Sequence, residues 1–439
     1  MTSEYDAPIS DQAFDQIMNS MRTHKPEAKN GTVAKKVAKP RSNGFETHPL
    51  FQQMKMQREF AALLQIKDPY YHQHQQKAGA TSKIEGKDLV NFASYDYLGL
   101  NGHPEILEAV AEANQRLGTS VSASRISAGE RDVHRDLELS LARIYETDDC
   151  IAYVSGHATA VSTLATLMGP KDIIIHDALI HNCIVVGAQL SGSVRRFFPH
   201  NDLAALERIL EDERDSFERV LIVSEGLFSM DGDGPDLQKL IDIKTRYDAI
   251  LMIDDAHGLG VLGATGRGIF EHQNVSPKGV DMWLGTLSKS LVSCGGYVAA
   301  NSLIIDILKH NAPGFVYSVG MPAGAAVASK VAIDIMLREP QRVQRLASLS
   351  RRFFDRAEAS DLDLGKSWGI GIIPVLIGDT VKTLRCAERL LQNGFNAFPV
   401  LPPGVPEKSA RLRFFINQTH TEEQIDAAVD ACVDAIKRA

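Results

Sequence analysis

The chain has 439 residues, 44% hydrophobic and 23% charged, a balance that excludes wholesale disorder, collagen and coiled coil. Lys and Arg number 47 against 55 Asp and Glu, a net charge of −8, so binding of nucleic acid through overall charge is excluded as well. No run has the length and apolarity of a membrane span, the first residues lack a secretory pattern, and five scattered cysteines fit neither zinc ribbon nor disulfide framework, so a cytoplasmic protein is expected.

In chain order, Phe14, Ile17, Met18 and Met21 recur at helical spacing behind Ser10 and Asp11, and residues 25–41 are rich in Lys, Ala, Gly and Pro. Residues 1–44 therefore read as a flexible extension with a short helix, either a plain tail or a docking element for a partner. An N-terminal arm over 45–95 follows. From there short apolar runs at 151–154, 172–176, 194–198, 219–223, 250–253, 282–286 and 296–299 predict strands, with helices such as 202–212 and 236–246 between them. Such alternation predicts an α/β fold with a mostly parallel sheet in a large domain over 96–325. Several runs lack polar alternation, as strands buried on both faces would. A smaller C-terminal α/β domain over 326–439 is predicted from an Ala-rich helix at 323–337, a run at 372–377, a helix at 380–393, a run at 411–416 and a last helix from Thr421.

Two strand ends carry candidate chemistry. The glycines of GLGVLG at 258–263 match a dinucleotide fingerprint, but Asp254-Asp255-Ala256-His257 occupies the strand end and no helix follows, so a nicotinamide-dependent dehydrogenase is rejected. The run 250–253 feeds Asp254 and His257 to the carboxyl end of a parallel strand, where α/β proteins place ligands. Thr286-Leu287-Ser288-Lys289 ends another strand 32 residues beyond His257. A lysine among hydroxyls and glycines suits a Schiff base, because partial desolvation frees its amine. An acid nearby suits a protonated pyridine nitrogen, and together they point to pyridoxal phosphate. Singly, each has a plainer account: Asp254 as a helix cap, Lys289 as a surface ammonium. His72, His74, His176 and His181 lack a completing Cys or carboxylate cluster, so no metal site is expected.

Seven stretches then resemble one family: NFASYDYLGL at 91–100, SGHA at 155–158, HDALIHN at 176–182, SEGLFSMDGD at 224–233, DDAHG at 254–258, TLSK at 286–289 and ARLR at 410–413. In this order and spacing the chain is similar to the α-oxoamine synthases, a branch of the fold-type I pyridoxal-phosphate enzymes, from about residue 45 onward. The resemblance implies that Lys289 carries the coenzyme and acts as acid and base at the substrate Cα. It implies that Asp254 protonates the pyridine nitrogen, that His257 and Ser229 lie near the ring 3′-oxygen, and that His181 stacks on the ring. Gly156, His157 and Thr286 would take the phosphate, and Arg413 the amino-acid carboxylate. Arg411 and Arg413 share one strand face, so one of them is open to pairing with an acid instead.

Some positions depart from the family pattern. His157 stands where an aromatic ring is common, Gly320 where many members have a hydroxyl residue, and Tyr95 replaces the usual Asn of the SNDYL motif. Tyr95, counted with the substrate-binding residues, resembles serine palmitoyltransferase-like members and synthases of polyketide pathways, which take acyl chains from a carrier protein. The implied reaction is a decarboxylative condensation of an amino acid with an acyl thioester, from an acyl carrier protein or coenzyme A, in a homodimer. The alternatives are serine palmitoyltransferase proper and an aminotransferase sharing fold and coenzyme.

Overall fold

The computed structural model describes residues 44–439, so the helix expected at residues 14–21 lies outside the described residues. The chain divides into one unit ending at Phe60 and a second, Ala61–Ala439, which contains every candidate residue. That unit opens with a hairpin of β1 (Thr81–Ile84) and β2 (Lys87–Asn91), followed by α1 (Pro104–Leu117) and α2 (Asp132–Ile144). There follow β3 (Asp149–Tyr153), α3 (Gly156–Leu167), β4 (Ile173–Asp177), α4 (Asn182–Ser191), β5 (Val194–Phe198) and α5 (Leu203–Glu213). The chain then runs through β6 (Val220–Glu225), α6 (Leu237–Arg246), β7 (Ile250–Asp254), β8 (Met282–Thr286), β9 (Gly296–Ala300) and α7 (Ser302–Asn311).

These strands form one seven-stranded sheet in the order β3-β9-β8-β7-β6-β4-β5. All neighbours are parallel except β9, which runs antiparallel to both β3 and β8. The predicted runs and the observed strands agree to within a residue or two. Every residue of β4, β6 and β9 is buried, whereas β5 at the sheet edge exposes Arg195, Arg196 and Phe197. Helices on both faces exclude water from the inner strands, each fully buried Ile, Leu or Val contributing about 1.5–3 kcal/mol. Asp202, Asp236 and Asn301 each start a helix by accepting a backbone N–H from the first turn.

The C-terminal part comprises α8 (Ala323–Arg338), α9 (Gln341–Ala359), β10 (Ile372–Gly378), α10 (Thr380–Gln392), β11 (Phe395–Asn396), β12 (Phe398–Val400), β13 (Ala410–Phe415) and α11 (Glu422–Arg438). Strands β10, β13 and β12 form an antiparallel sheet, while β11 joins β1 and β2. Helices α1, α2 and α9 and the β1–β2 hairpin are additions to the elements read from the sequence. The mixed α/β architecture matches the expected class, with the parallel strands' carboxyl ends gathered on one side.

Candidate active site

Four neighbouring strand ends build the site. β6 ends in Glu225 and β7 in Asp254, and the two are direct register partners. β8 ends in Thr286, three residues before Lys289, and the loop after β4 runs to His181 at the start of α4. Asp254 is buried and accepts the Ala256 N–H at 3.1 Å. Burial pushes its carboxyl above the usual range, while Lys289 and His181 pull it back. Glu225 is also buried, and burial together with the Asp254 charge raises it further. Burial draws the Lys289 amine down to about 8 against the pull of Asp254 and Glu225, with Arg413 adding to the descent. A lysine so placed carries usable free base near neutral pH.

His257 is buried and its Nδ1 lies 2.8 Å from the Tyr97 hydroxyl. Burial, then the nearby Lys289 and Arg413 cations, hold its imidazole well below the ordinary value, so it is neutral. Tyr95 remains 41% exposed, its ring 5.8 Å from Lys289 Nζ and edge-on to Phe415 at 5.0 Å. His181 is exposed to solvent, and burial of the rest of its surroundings lowers its basicity although Asp254 opposes this.

Helix α3 begins at Gly156, capped by the Ser155 side chain, which accepts the Ala158 N–H at 3.3 Å. Among the described residues the N–H groups of Gly156 and His157 have no acceptor, and a helix start of this kind favours an anion. A Cβ on Gly156 would lie 2.9 Å from Thr286 Oγ1, so only glycine lets α3 approach the end of β8 this closely. Thr286 Oγ1 is 2.7 Å from Ser288 Oγ and donates to the Gly295 carbonyl at 3.0 Å. His157 is exposed at the same helix start.

Strand β13 delivers the two arginines, and the structure separates them. Arg411 pairs with Asp231 at 2.7 Å. Arg413 is 6% exposed, donates from Nη1 to the Ser229 carbonyl at 3.1 Å, and has its guanidinium carbon 4.4 Å from the centre of the Phe415 ring. Its Nε is buried without a partner, and among the described residues no carboxylate pairs with it. A buried guanidinium without an anion is costly, which points to a bound carboxylate. Ser229 is brought to the site, with its carbonyl the group in contact.

The sequence reading assigns no role to several residues that belong here. Glu225 is the charged end of a strand that is apolar up to Ser224, a signal visible in SEGLFSMDGD. Tyr97 sits two residues from Tyr95 and anchors His257. His200 bridges Asp177 at 2.9 Å and Asp233 at 3.0 Å, tying the end of β4 to the loops after β5 and β6. Burial lowers its basicity, but the hydrogen bonds it donates to both carboxylates prevail and raise it to about 10.

Comparison with known proteins accords with this geometry. Residues 87–432 match the family described as aminotransferase class I and II. An 8-amino-7-oxononanoate synthase of Geobacter sulfurreducens is 37% identical, over 80% of this chain and 90% of its own length. The chain belongs to this family, in its α-oxoamine synthase branch. Among solved structures, a serine palmitoyltransferase of Sphingomonas wittichii superposes with a TM-score of 0.85 at 25% identity, over 89% of this chain and 98% of that one. A serine palmitoyltransferase structure described as carrying pyridoxal phosphate gives 0.84 at 25% identity, over 89% and 98% of the two chains. Like these α-oxoamine synthases, the present chain is a pyridoxal-phosphate-dependent acyltransferase. Its residues fit the coenzyme: an unpaired helix start for the phosphate, a buried acid for the ring nitrogen and a depressed lysine for the aldehyde.

Proposed function

We propose that the enzyme joins an amino acid to an acyl thioester by decarboxylative condensation, releasing thiol and carbon dioxide and leaving an α-amino ketone. The observation that carries this reading is the depressed amine of Lys289 beside the buried Arg413 guanidinium, with which no carboxylate pairs among the described residues. That pair suits an amino acid held by its carboxylate while its Cα proton is removed.

The coenzyme would be held by Lys289 at its aldehyde, by Asp254 at its ring nitrogen, and by Gly156, His157 and Thr286 at its phosphate. When bound, it supplies an electron sink that weakens the bonds at the substrate Cα. His257, steadied by Tyr97, and Ser229 would lie near the ring oxygen. Arg413 holds the carboxylate, and by fixing it selects which Cα bond is broken. Lys289 takes the Cα proton and later returns one. His181 donates a hydrogen bond to the thioester oxygen as negative charge gathers there. Tyr95, open to solvent and close to Lys289, borders the amino-acid side chain.

A homodimer is part of the proposal. Ile126, Tyr317 and Val319 are 52%, 86% and 50% exposed on two segments, the first a short helical turn, that the Gly320 N–H to Ala123 carbonyl bond joins at 2.9 Å, which supports coverage by a second copy. A carrier-protein-bound acyl donor is favoured by the resemblance to polyketide-associated members, and residues 1–44 are its proposed contact. Among the described residues no helix is long and apolar enough to cross a membrane.

The test mixes amino acids with acyl thioesters and follows thiol release with a dye. Wild type should release thiol and carbon dioxide together. Lys289→Ala should lose both activities and the visible coenzyme absorbance while keeping its circular dichroism. Keto acid formed without thiol would identify an aminotransferase and refute the proposal.

A further inference from the structure

Helix α4 begins in an unusual way. Its N-cap is His181, at a position where Ser, Thr, Asp or Asn is the ordinary choice. The ring cannot cap a helix unless one of its nitrogens is bare, and here that nitrogen is identified by its neighbours. The backbone N–H of Cys183 donates to His181 Nδ1 at 3.3 Å, and Cys183 Sγ lies 3.0 Å from the same atom. Cys183 is buried, and burial, reinforced by the Asp254 and Glu225 carboxylates, raises its thiol well above the ordinary value. The sulfur therefore keeps its proton and serves as a donor. Two donors thus converge on Nδ1. A proton on Nδ1 would face the amide hydrogen of Cys183 at the positive end of α4.

The main chain is pinned as firmly as the ring. The His181 N–H donates to Glu225 Oε1 at 2.7 Å, which ties the start of α4 to the end of β6. The other ring nitrogen, Nε2, has no partner among the described residues, and the residue is exposed. The charged groups acting on the ring are Asp254, which favours a second proton, and Lys289 and His157, which oppose it. Desolvation, the largest effect, and the helix start also oppose it, so the ring is a weaker base than an ordinary histidine.

We propose that Cys183 and the first turn of α4 lock His181 as the Nε2–H tautomer, so that the free ring nitrogen presents a fixed hydrogen-bond donor to the acyl thioester. This rests on the proposed condensation for its role, while the tautomer itself rests only on contacts within the chain. Cys183 is then a positioning residue: it acts on the reaction through His181.

The experiment uses the holoenzyme labelled with ¹⁵N at its histidine rings, with the His181 signals identified by their loss in His181→Gln. In wild type at about pH 8, above the ordinary histidine pKa of about 6.5, Nδ1 should be bare and Nε2 protonated. Cys183→Ala should yield a mixture of tautomers and lower kcat roughly three- to tenfold, the range expected when one hydrogen bond is lost. The KM for the amino acid should stay within about twofold, because Arg413 sets it. Cys183→Ser, which keeps an O–H donor, should restore both the single tautomer and kcat. A wild-type ring protonated at Nδ1 at that pH, or a Cys183→Ser protein behaving like Cys183→Ala, would overturn the assignment. A wild type that holds the Nε2–H tautomer yet releases no thiol would uphold the locking and defeat the condensation.

Discussion

The free amine of Lys289 offers the sharpest quantitative test of the site. Burial brings its pKa from 10.5 to about 8, so at pH 7 about a tenth of the side chain is free base. An ordinary lysine would present about one part in three thousand, so the active-site amine should be roughly 300-fold enriched in its reactive form. Competitive acetylation of the coenzyme-free protein with acetic anhydride, resolved by peptide mass spectrometry, reads this directly against exposed lysines. The Lys289 rate should rise about tenfold per pH unit up to about pH 8 and level off there. Arg413→Gln removes a neighbouring cation that lowers the lysine, so its midpoint should move upward. The sign for stability follows: the unfolded chain binds this proton more tightly, so the native state is disfavoured below about pH 8. It regains about 3 kcal/mol as pH rises from there toward 10.5. A Lys289 midpoint at or above about pH 10 would refute the reasoning, because it would mean that water and counter-ions solvate the amine as they do any surface lysine.

Replacing Arg413 by Ala should raise the KM for the amino acid about 10- to 100-fold, the value of a charge-assisted carboxylate clamp, and leave that for the acyl donor within about threefold. Steady-state kinetics with each substrate varied in turn checks this, and equal weakening of both would count against the carboxylate role. His200→Gln should destabilise the fold by about 3–5 kcal/mol at pH 6, where the imidazolium bridges Asp177 and Asp233 in full. Because its folded pKa of about 10 lies above its ordinary 6.5, that contribution should dwindle as pH rises through this window. Denaturant midpoints at about pH 6 and about pH 10 measure the difference, and an equal loss at both would contradict the bridge.

The large sheet was legible in the sequence because its inner strands are buried on both faces and so carry apolar runs without polar alternation, as at 173–175 and 220–223. Asp254 and Lys289 were legible for the same reason: a charged residue where such a run stops marks a strand end. What local pattern cannot hold is who stands beside whom. Glu225 becomes a partner of Asp254 only because β6 lies next to β7, and that order is set by packing across the whole domain.

The division between Arg411 and Arg413 has the same origin. Both point the same way from β13, and neither spacing nor composition tells them apart. The loop after β6 decides the matter by bringing the Asp231 carboxylate to Arg411 and only uncharged groups, the Ser229 carbonyl and the Met230 sulfur, to Arg413. His181 is likewise readable as an imidazole near a strand end, whereas the nitrogen that keeps its proton depends on the turn of helix beneath it. Run length, periodicity and residue chemistry are local, so the chain states them by itself. Strand order, ion pairing and tautomer depend on residues far apart in sequence, and only the folded protein brings them together.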